Sequence, residues 1–308
     1  MVCRAVKLIG EARRGMRTAT GAPGRCRFVP LIPHCYTLVP MARQRLGQHF
    51  LADSGWQRRI LQTLPRGNHE TWIEIGAGHG EMTRLLAAED RHVIAIEADE
   101  RLASGLRRAT EENPAQWPGV DVVRGDVLRI DLAKLADGEF RVYGNLPYYI
   151  TSPTLMALFR HADRIRSIHI VIQWEVAARI VARPGGREYG YLSAVCQFYT
   201  RPEILLRIPP GAFRPPPKVA SALVHMDLPG ERAKLAISDE QRFLKFVGAC
   251  FSQKRKTLRN NLRALANAEE VSEALAERGL RPDARAEQLS LADFARLFAR
   301  VRRAESPG

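Results

Sequence analysis

No stretch of this chain approaches the roughly 18 consecutive apolar residues that a membrane-spanning helix needs. Cysteine is scarce, at five in 308 residues. Cys3, Cys26 and Cys35 lie near the start, while Cys196 and Cys250 stand far apart inside apolar sequence. That leaves no disulfide framework and no zinc-ligand spacing, so a reducing cytoplasm is expected. Acid is short as well: 33 Asp+Glu against 47 Lys+Arg give a net charge of +14. Such an excess favours a polyanionic partner, nucleic acid before an anionic membrane surface. What remains is an ordinary globular composition, 45% hydrophobic and 26% charged, with length for one or two domains.

The basic excess is uneven. Residues 1–42 hold seven basic residues and one acid, Glu11. They also carry Gly21, Pro23, Gly24, Pro30, Pro33 and Pro40, with no sustained helical or strand period. Glu11, Arg13 and Arg14 interrupt any early apolar core, so a secretory signal fits poorly. Residues 1–42 read as a disordered leader or an over-extended start, an Arg-rich transit peptide being the alternative.

From Leu51 the pattern is regular. Trp56, Ile60 and Leu64 predict an amphipathic helix, ended by Pro65 and Gly67. Strands are predicted at residues 71–75, 92–97, 120–123, 140–144 and 167–172, with helices after the first two through Met82, Leu85 and Leu86 and around Leu102 and Leu106. A further helix runs through Val176, Ile180 and Val181, and later strands are expected at residues 193–199 and 220–226. Strands alternating with helices predict an α/β fold with a predominantly parallel, doubly wound sheet. After Leu228-Pro-Gly only helical patterns remain. The expected division is therefore a domain over residues 43–228 and a small all-helical one over residues 229–308.

Glu74-Ile-Gly-Ala-Gly-His-Gly follows the first of these strands and opens a helix. Gly76, Gly78 and Gly80 allow a tight turn and close approach to a ligand. The spacing is G-x-G-x-G, not the G-x-G-x-x-G of dinucleotide binding. For the glycines taken alone, a tight structural turn is the alternative. Glu97, ending the next strand, is placed to bond ribose hydroxyls, and Asp126, after the third, to read an adenine edge. An acid at each of three successive strand ends resembles the class I S-adenosylmethionine-dependent methyltransferases, whose Rossmann-like fold the pattern implies. A nicotinamide dehydrogenase is the rival, but no hydride-transfer constellation follows.

Gly144-Asn-Leu-Pro-Tyr-Tyr-Ile-Thr-Ser-Pro ends the fourth strand. It is similar to the Asn/Asp-Pro-Pro-Tyr motif of enzymes that methylate exocyclic amino groups of bases. The adenine N6 lone pair is delocalised into the ring, so the nitrogen is a poor nucleophile. Acceptors aimed at its protons favour the tetrahedral geometry that attack needs. Asn145 offers a side-chain oxygen. Leu146 offers a backbone carbonyl, kept out of the helical conformation by Pro147. Tyr148 offers a ring on which the base can stack, worth roughly 1–3 kcal/mol. No metal and no nucleophilic side chain is required.

Three further segments complete the pattern: Leu46-Gly-Gln-His-Phe-Leu, Pro209-Pro-Gly-Ala-Phe-Arg-Pro-Pro-Pro-Lys-Val and Phe251-Ser-Gln-Lys-Arg-Lys-Thr-Leu-Arg-Asn-Asn-Leu. Over residues 43–304 the chain resembles the rRNA adenine N6,N6-dimethyltransferases of the small-subunit type. The last segment separates it from the resistance methylases of large-subunit rRNA. The resemblance implies S-adenosyl-L-methionine as cofactor, held by His49, Leu51, Gly76, Gly78, Glu97, Asp126 and Asn145. His49 stands where many relatives have Asn. A target pocket is implied at Asn145, Leu146, Pro147 and Tyr148, flanked by Phe213. The implied substrate is two adjacent adenosines in the 3′-terminal hairpin (helix 45) of 16S rRNA, within an immature small subunit and acted on by a monomer. A non-catalytic ribosome-assembly or transcription-associated RNA binder of the same fold is the alternative, against which the intact glycine loop and Asn145-Leu-Pro-Tyr argue.

Over residues 252–266, Leu258, Leu262 and Leu265 form an apolar stripe. Arg255, Arg259 and Arg263 recur beside it at helical spacing, with Lys254 and Lys256 nearby. Five cations without an acid predict a helix face that contacts RNA phosphates, if it borders the cleft.

Overall fold

The computed structural model describes residues 48–67 and 69–304; the expected leader, residues 1–42, lies outside them. The described residues fall in one compact unit.

The first described elements are a short strand, β1 (Phe50–Leu51), and a helix, α1 (Ser54–Thr63). Asp53 starts α1 by accepting hydrogen bonds from the Gly55 and Trp56 amides. Pro65 follows directly after Leu64, where the helix has ended. Then come β2 (Thr71–Ile75), α2 (Glu81–Ala87), β3 (His92–Glu97), α3 (Glu100–Glu112), β4 (Val120–Arg124) and β5 (Phe140–Asn145). They are followed by α4 (Thr151–Phe159), β6 (Ile165–Gln173), α5 (Trp174–Ile180), α6 (Tyr191–Tyr199), β7 (Arg201–Ile208), β8 (Phe213–Arg214) and β9 (Ser221–Asp227). All five strands expected up to residue 172 form. Ser193–Tyr199, expected as a strand, is instead helix α6, and the strand begins two residues after it, at Arg201.

The reason lies in where α6 sits. Val195 and Cys196 join the core beneath the sheet, while Ala194 and Phe198 join the core of the C-terminal helices. A helix buried on opposite sides is apolar nearly all round and shows no clean 3.6-residue period.

Seven strands form one sheet in the order β4-β3-β2-β5-β6-β9-β7. From β4 to β6 every pairing is parallel; β9 runs antiparallel to β6, and β7 antiparallel to β9. Ile73, Val142 and Ile168 point to one face, packed with Leu155 and Leu158 of α4 and Ile180 of α5. Trp72, Tyr143 and Val171 point to the other, packed with Ile60 of α1 and Leu86 of α2. Both faces are therefore covered, as a mainly parallel sheet requires.

The remaining elements are helical: α7 (Arg232–Leu235), α8 (Glu240–Cys250), α9 (Leu258–Leu262), α10 (Ala268–Ala276) and α11 (Leu291–Ala304). Their core holds Phe243, Leu258, Leu262, Val271 and Phe294, and it takes in Tyr189 and Phe198 from before residue 228.

Candidate active site

The parallel strands end at the glycine loop. Gly76, Gly78 and Gly80 have φ of +74°, +61° and +86°, a region costly for residues with a Cβ. At Gly80 a Cβ would also lie 2.5 Å from the Leu106 side chain, so the loop packs tightly on α3. At Gly78 it would lie 3.1 Å from the Phe50 ring.

Glu97, only 3% exposed, closes this side of the cleft. One carboxylate oxygen accepts from the Gly78 amide at 2.8 Å, the other from the Asp99 amide at 2.8 Å. Both oxygens are thus oriented, and each keeps a lone pair for a ligand hydroxyl. Glu74 lies buried under the same loop, accepting from the Thr83 hydroxyl at 2.5 Å. Burial pushes its pKa up to about 8, so this carboxyl is neutral at neutral pH.

The opposite wall grows from the end of β5. The Asn145 side-chain amide donates to the His49 carbonyl at 2.9 Å. That bond sets the amide's orientation and turns Oδ1 into the acceptor end. The Leu146 amide donates to the Val171 carbonyl at 3.1 Å, and the Leu146 side chain is buried. Tyr148 pairs its hydroxyl with Ser221 Oγ at 3.1 Å and packs its ring against His49, centroids 5.6 Å apart. Burial raises the Tyr148 hydroxyl pKa despite that bond.

His49 ties the site together. β1 pairs with β8, Leu51 opposite Phe213, and this lays residues 48–51 beside residues 213–215. His49 Nδ1 then donates to the Pro215 carbonyl at 2.7 Å, because a carbonyl can only accept. The cleft is lined by residues 48–50, Gly76, Glu97 and residues 145–148.

Of the residues singled out in the sequence, the cleft brings together His49, Gly76, Glu97, Asn145, Leu146, Pro147 and Tyr148. Gly78 stands just behind, through its amide bond to Glu97. Leu51 does not line the cleft: its side chain is buried with Ile60 and its carbonyl accepts from Gln57. Phe213, 1% exposed, sits in the same cluster, so its ring is a core side chain here and not a wall of the cleft. Both point inward because an antiparallel pair sets facing residues on one side, and that side meets α1. Asp126 lies beyond the end of β4, accepting from the Leu128 amide at 3.0 Å. Its neighbour across the rim is Tyr149, whose hydroxyl pKa is raised by burial and then by the Asp126 charge.

Four contributors were not singled out. Gln48 and Phe50 flank His49 within the Leu46–Leu51 segment, so a signal was present. Pro215 lies within the Pro209–Val219 segment, but its bond to His49, like that of Ser221 to Tyr148, is made only by the tertiary structure.

The C-terminal cations are arranged differently from the expected helix. α9 spans only Leu258–Leu262, capped by Thr257. Lys254, Arg255 and Lys256 lie in the turn before it, Arg259 is on it, and Arg263 closes it. All five are exposed, none lines the cleft, and Leu265 is exposed as well. The polar turn does not continue the helix because Asn261 Nδ2 clamps it, donating to the Cys250 and Gln253 carbonyls at 2.6 and 3.2 Å.

A mainly parallel sheet with a glycine loop and an acid at its strand ends defines the class I methyltransferase fold. Comparison with solved structures agrees. A dimethyladenosine transferase from Plasmodium falciparum superposes with a TM-score of 0.67 at 22% identity, over 83% of this chain and 98% of that one. The 23S rRNA methyltransferase ErmE gives 0.62 at 26%, over 82% and 99%.

Residues 40–303 match the family model for ribosomal RNA adenine dimethylase, and the chain belongs to that family. It is 42% identical to the ribosomal RNA small subunit methyltransferase A of Acidobacterium capsulatum, over 88% of this chain and 95% of the relative. The protein of that name from Xanthomonas campestris pv. campestris is also 42% identical, over 83% and 95%.

Proposed function

We propose that this protein transfers methyl groups from S-adenosylmethionine to N6 of adenosines in small-subunit rRNA. The substrate we favour is the pair of adjacent adenosines in the helix 45 loop of 16S rRNA, within an immature small subunit, each receiving two methyl groups. The observation that carries the chemistry is Asn145. Its amide nitrogen is committed to the His49 carbonyl, which leaves its oxygen as an acceptor at the cleft wall.

The residues present fit the cofactor. Three glycines with positive φ shape the loop, a Cβ would crowd Phe50 at Gly78 and clash with Leu106 at Gly80, and Glu97 presents an oriented carboxylate for ribose hydroxyls. Gly76, Gly78, Glu97 and His49 would hold it, with Asp126 at the adenine end. S-adenosylmethionine supplies an electrophilic methyl group on a sulfonium sulfur.

The chain's own work is positioning. Asn145 Oδ1 and the Leu146 carbonyl accept from the target amino group and hold its lone pair out of conjugation with the ring. Tyr148 stacks on the base, while His49 and Ser221 fix the angle of that ring. Extracting the base costs a few kcal/mol, least for a loop adenine that is not paired. Alignment of this kind supplies most of the acceleration when no proton or nucleophile must be generated first.

Residues 43–228 form the catalytic part in this reading, and residues 229–308 offer the turn cations to rRNA phosphates. The protein works as a monomer in the cytoplasm; among the described residues no helix is long and apolar enough to cross a membrane. Mass spectrometry of the 3′-terminal 16S fragment tests the reading. Cells lacking the gene should carry two unmethylated adenosines there, restored by the wild-type chain and not by Asn145→Ala. Full dimethylation without the gene refutes it.

A further inference from the structure

The loop between α5 and α6, Ala182-Arg-Pro-Gly-Gly-Arg-Glu-Tyr-Gly190, was given no role by the sequence. Residues 183–187 are all exposed. The loop is nonetheless held in one shape. The Gly186 amide donates to the Arg183 carbonyl at 3.0 Å and the Tyr189 amide to the Gly186 carbonyl at 3.1 Å. Tyr189 is buried among the C-terminal helices, its ring meeting Phe251 edge-on.

Two more bonds fasten the loop to the C-terminal part. The Gly185 amide donates to the Glu287 carbonyl at 2.7 Å, and Lys254 Nζ donates to the Arg187 carbonyl at 3.3 Å. Lys254 thus joins the basic turn to this loop and spends part of its hydrogen-bonding capacity inside the protein. The loop's one acid, Glu188, faces Arg179 at 3.7 Å. Arg183 and Arg187 make no ion pair among the described residues. Two exposed guanidinium groups on a fastened loop therefore adjoin the exposed cations of the 254–256 turn.

We propose that Arg183 and Arg187 are a second phosphate-binding element for RNA, continuous across Lys254 with the basic turn before α9. The proposal rests on the rRNA reading above and deepens it. An RNA backbone fits better than an acidic protein, because guanidinium groups at separate points of a pre-shaped surface suit a chain of regularly spaced phosphates. A loop already fastened at both ends loses little conformational freedom on binding. The α5–α6 loop belongs to the sheet-bearing part and the turn to the helical part, so one RNA strand held by both would span the two.

The test is the salt dependence of full-length protein binding to small ribosomal subunits that lack the methyl groups. Arg183→Ala with Arg187→Ala should weaken binding and flatten the log–log salt slope by about 1–2 units, at somewhat under one unit per phosphate contact. Arg183→Lys with Arg187→Lys should recover most of the slope, since a phosphate accepts a point charge. Thermal unfolding and S-adenosylmethionine affinity should match wild type in both. An unchanged slope in the double alanine variant overturns the proposal, as does equal weakening toward poly-glutamate. If the wild type methylates these subunits while the loop variant binds normally, only this proposal falls. If the wild type neither binds nor methylates them, the rRNA reading falls first.

Discussion

The cleft and the C-terminal basic turn are both polar sites on one compact unit, yet they are built by different means. The cleft sits at the ends of registered parallel strands, where Asn145 is placed by its pairing opposite Val171 and Glu97 by its pairing opposite Arg124. Two of its bonds join residues far apart in sequence: Asn145 to His49 across 96 positions and His49 to Pro215 across 166. The turn depends on a clamp between consecutive helices, Asn261 of α9 to the Cys250 carbonyl that ends α8, 11 positions away. A site framed by a sheet tolerates little displacement, as positioning chemistry demands. A phosphate-binding surface needs charge in roughly the right place and can be carried by turns.

The contrast can be broken most strongly beneath the cleft. Phe213→Ala empties a fully buried site beside Leu51 and Ile60 and should cost roughly 3–5 kcal/mol of stability. Thermal denaturation checks this, and a melting temperature unchanged from wild type would show that the ring is not a core element.

Next comes Asn145→Ala. Methyl transfer to small subunits should drop by at least about 10²-fold, the usual scale for losing a hydrogen bond that strengthens in the transition state. Subunit affinity should hardly move and cofactor affinity should fall far less. Near-normal single-turnover rates would sink the amino-group account.

Glu74→Gln probes the floor of the glycine loop through pH. In the folded state burial raises this carboxyl from 4.5 to about 8, so the folded protein keeps a proton that the unfolded chain gives up. Its contribution is therefore fully present below pH 4.5 and is lost as pH rises toward about 8. The slope is about 1.4 kcal/mol per pH unit in that window. The glutamine variant should match wild type near pH 4.5 and outlast it at pH 8 in urea unfolding; parallel pH profiles would refute the assignment.

On the other side of the comparison, Asn261→Ala removes the clamp on the basic turn. It should cost about 1–2 kcal/mol and weaken RNA binding, with cofactor affinity intact. Calorimetric titration with S-adenosylmethionine checks the latter, and a lost cofactor site would mean that the turn and the cleft are one structural unit. The smallest effect belongs to Tyr148→Phe, which loses one hydroxyl contact with Ser221 and keeps the stacking face. Its kcat should stay within a few-fold of wild type; if it fell as far as that of Tyr148→Ala, the hydroxyl and not the ring would be the working group.

Much of the cleft was legible in the sequence because its parts sit at strand ends, where apolar runs stop and glycine or acid begins. Gly76, Glu97 and Asn145 could be read that way. That the Leu51 and Phe213 side chains are buried was not legible, because a motif carries residue identity and says nothing of which face a two-residue strand pair turns inward. Helix α6 was read as a strand because burial against two cores removed its polar face. The helix expected over residues 252–266 shrank to α9, since charge spacing repeats equally well through a turn that a single asparagine pins. His49 was identified through its motif, but its bond to Pro215 depends on the β1–β8 pairing, for which two residues of strand leave no periodic trace.

That bond has a consequence for when the enzyme can work. His49 and Pro215 are 166 positions apart in the chain. At about 5–20 residues per second of synthesis, residue 215 emerges on the order of 10–30 s after residue 49. Late in that interval the glycine loop, Glu97 and Asn145 can assemble on the growing sheet, but His49 still has no Pro215 carbonyl to bond. The cleft is thus completed only once residue 215 has emerged, so a nascent chain that has not reached that point holds an unfinished catalyst beside the kind of RNA it is built to modify.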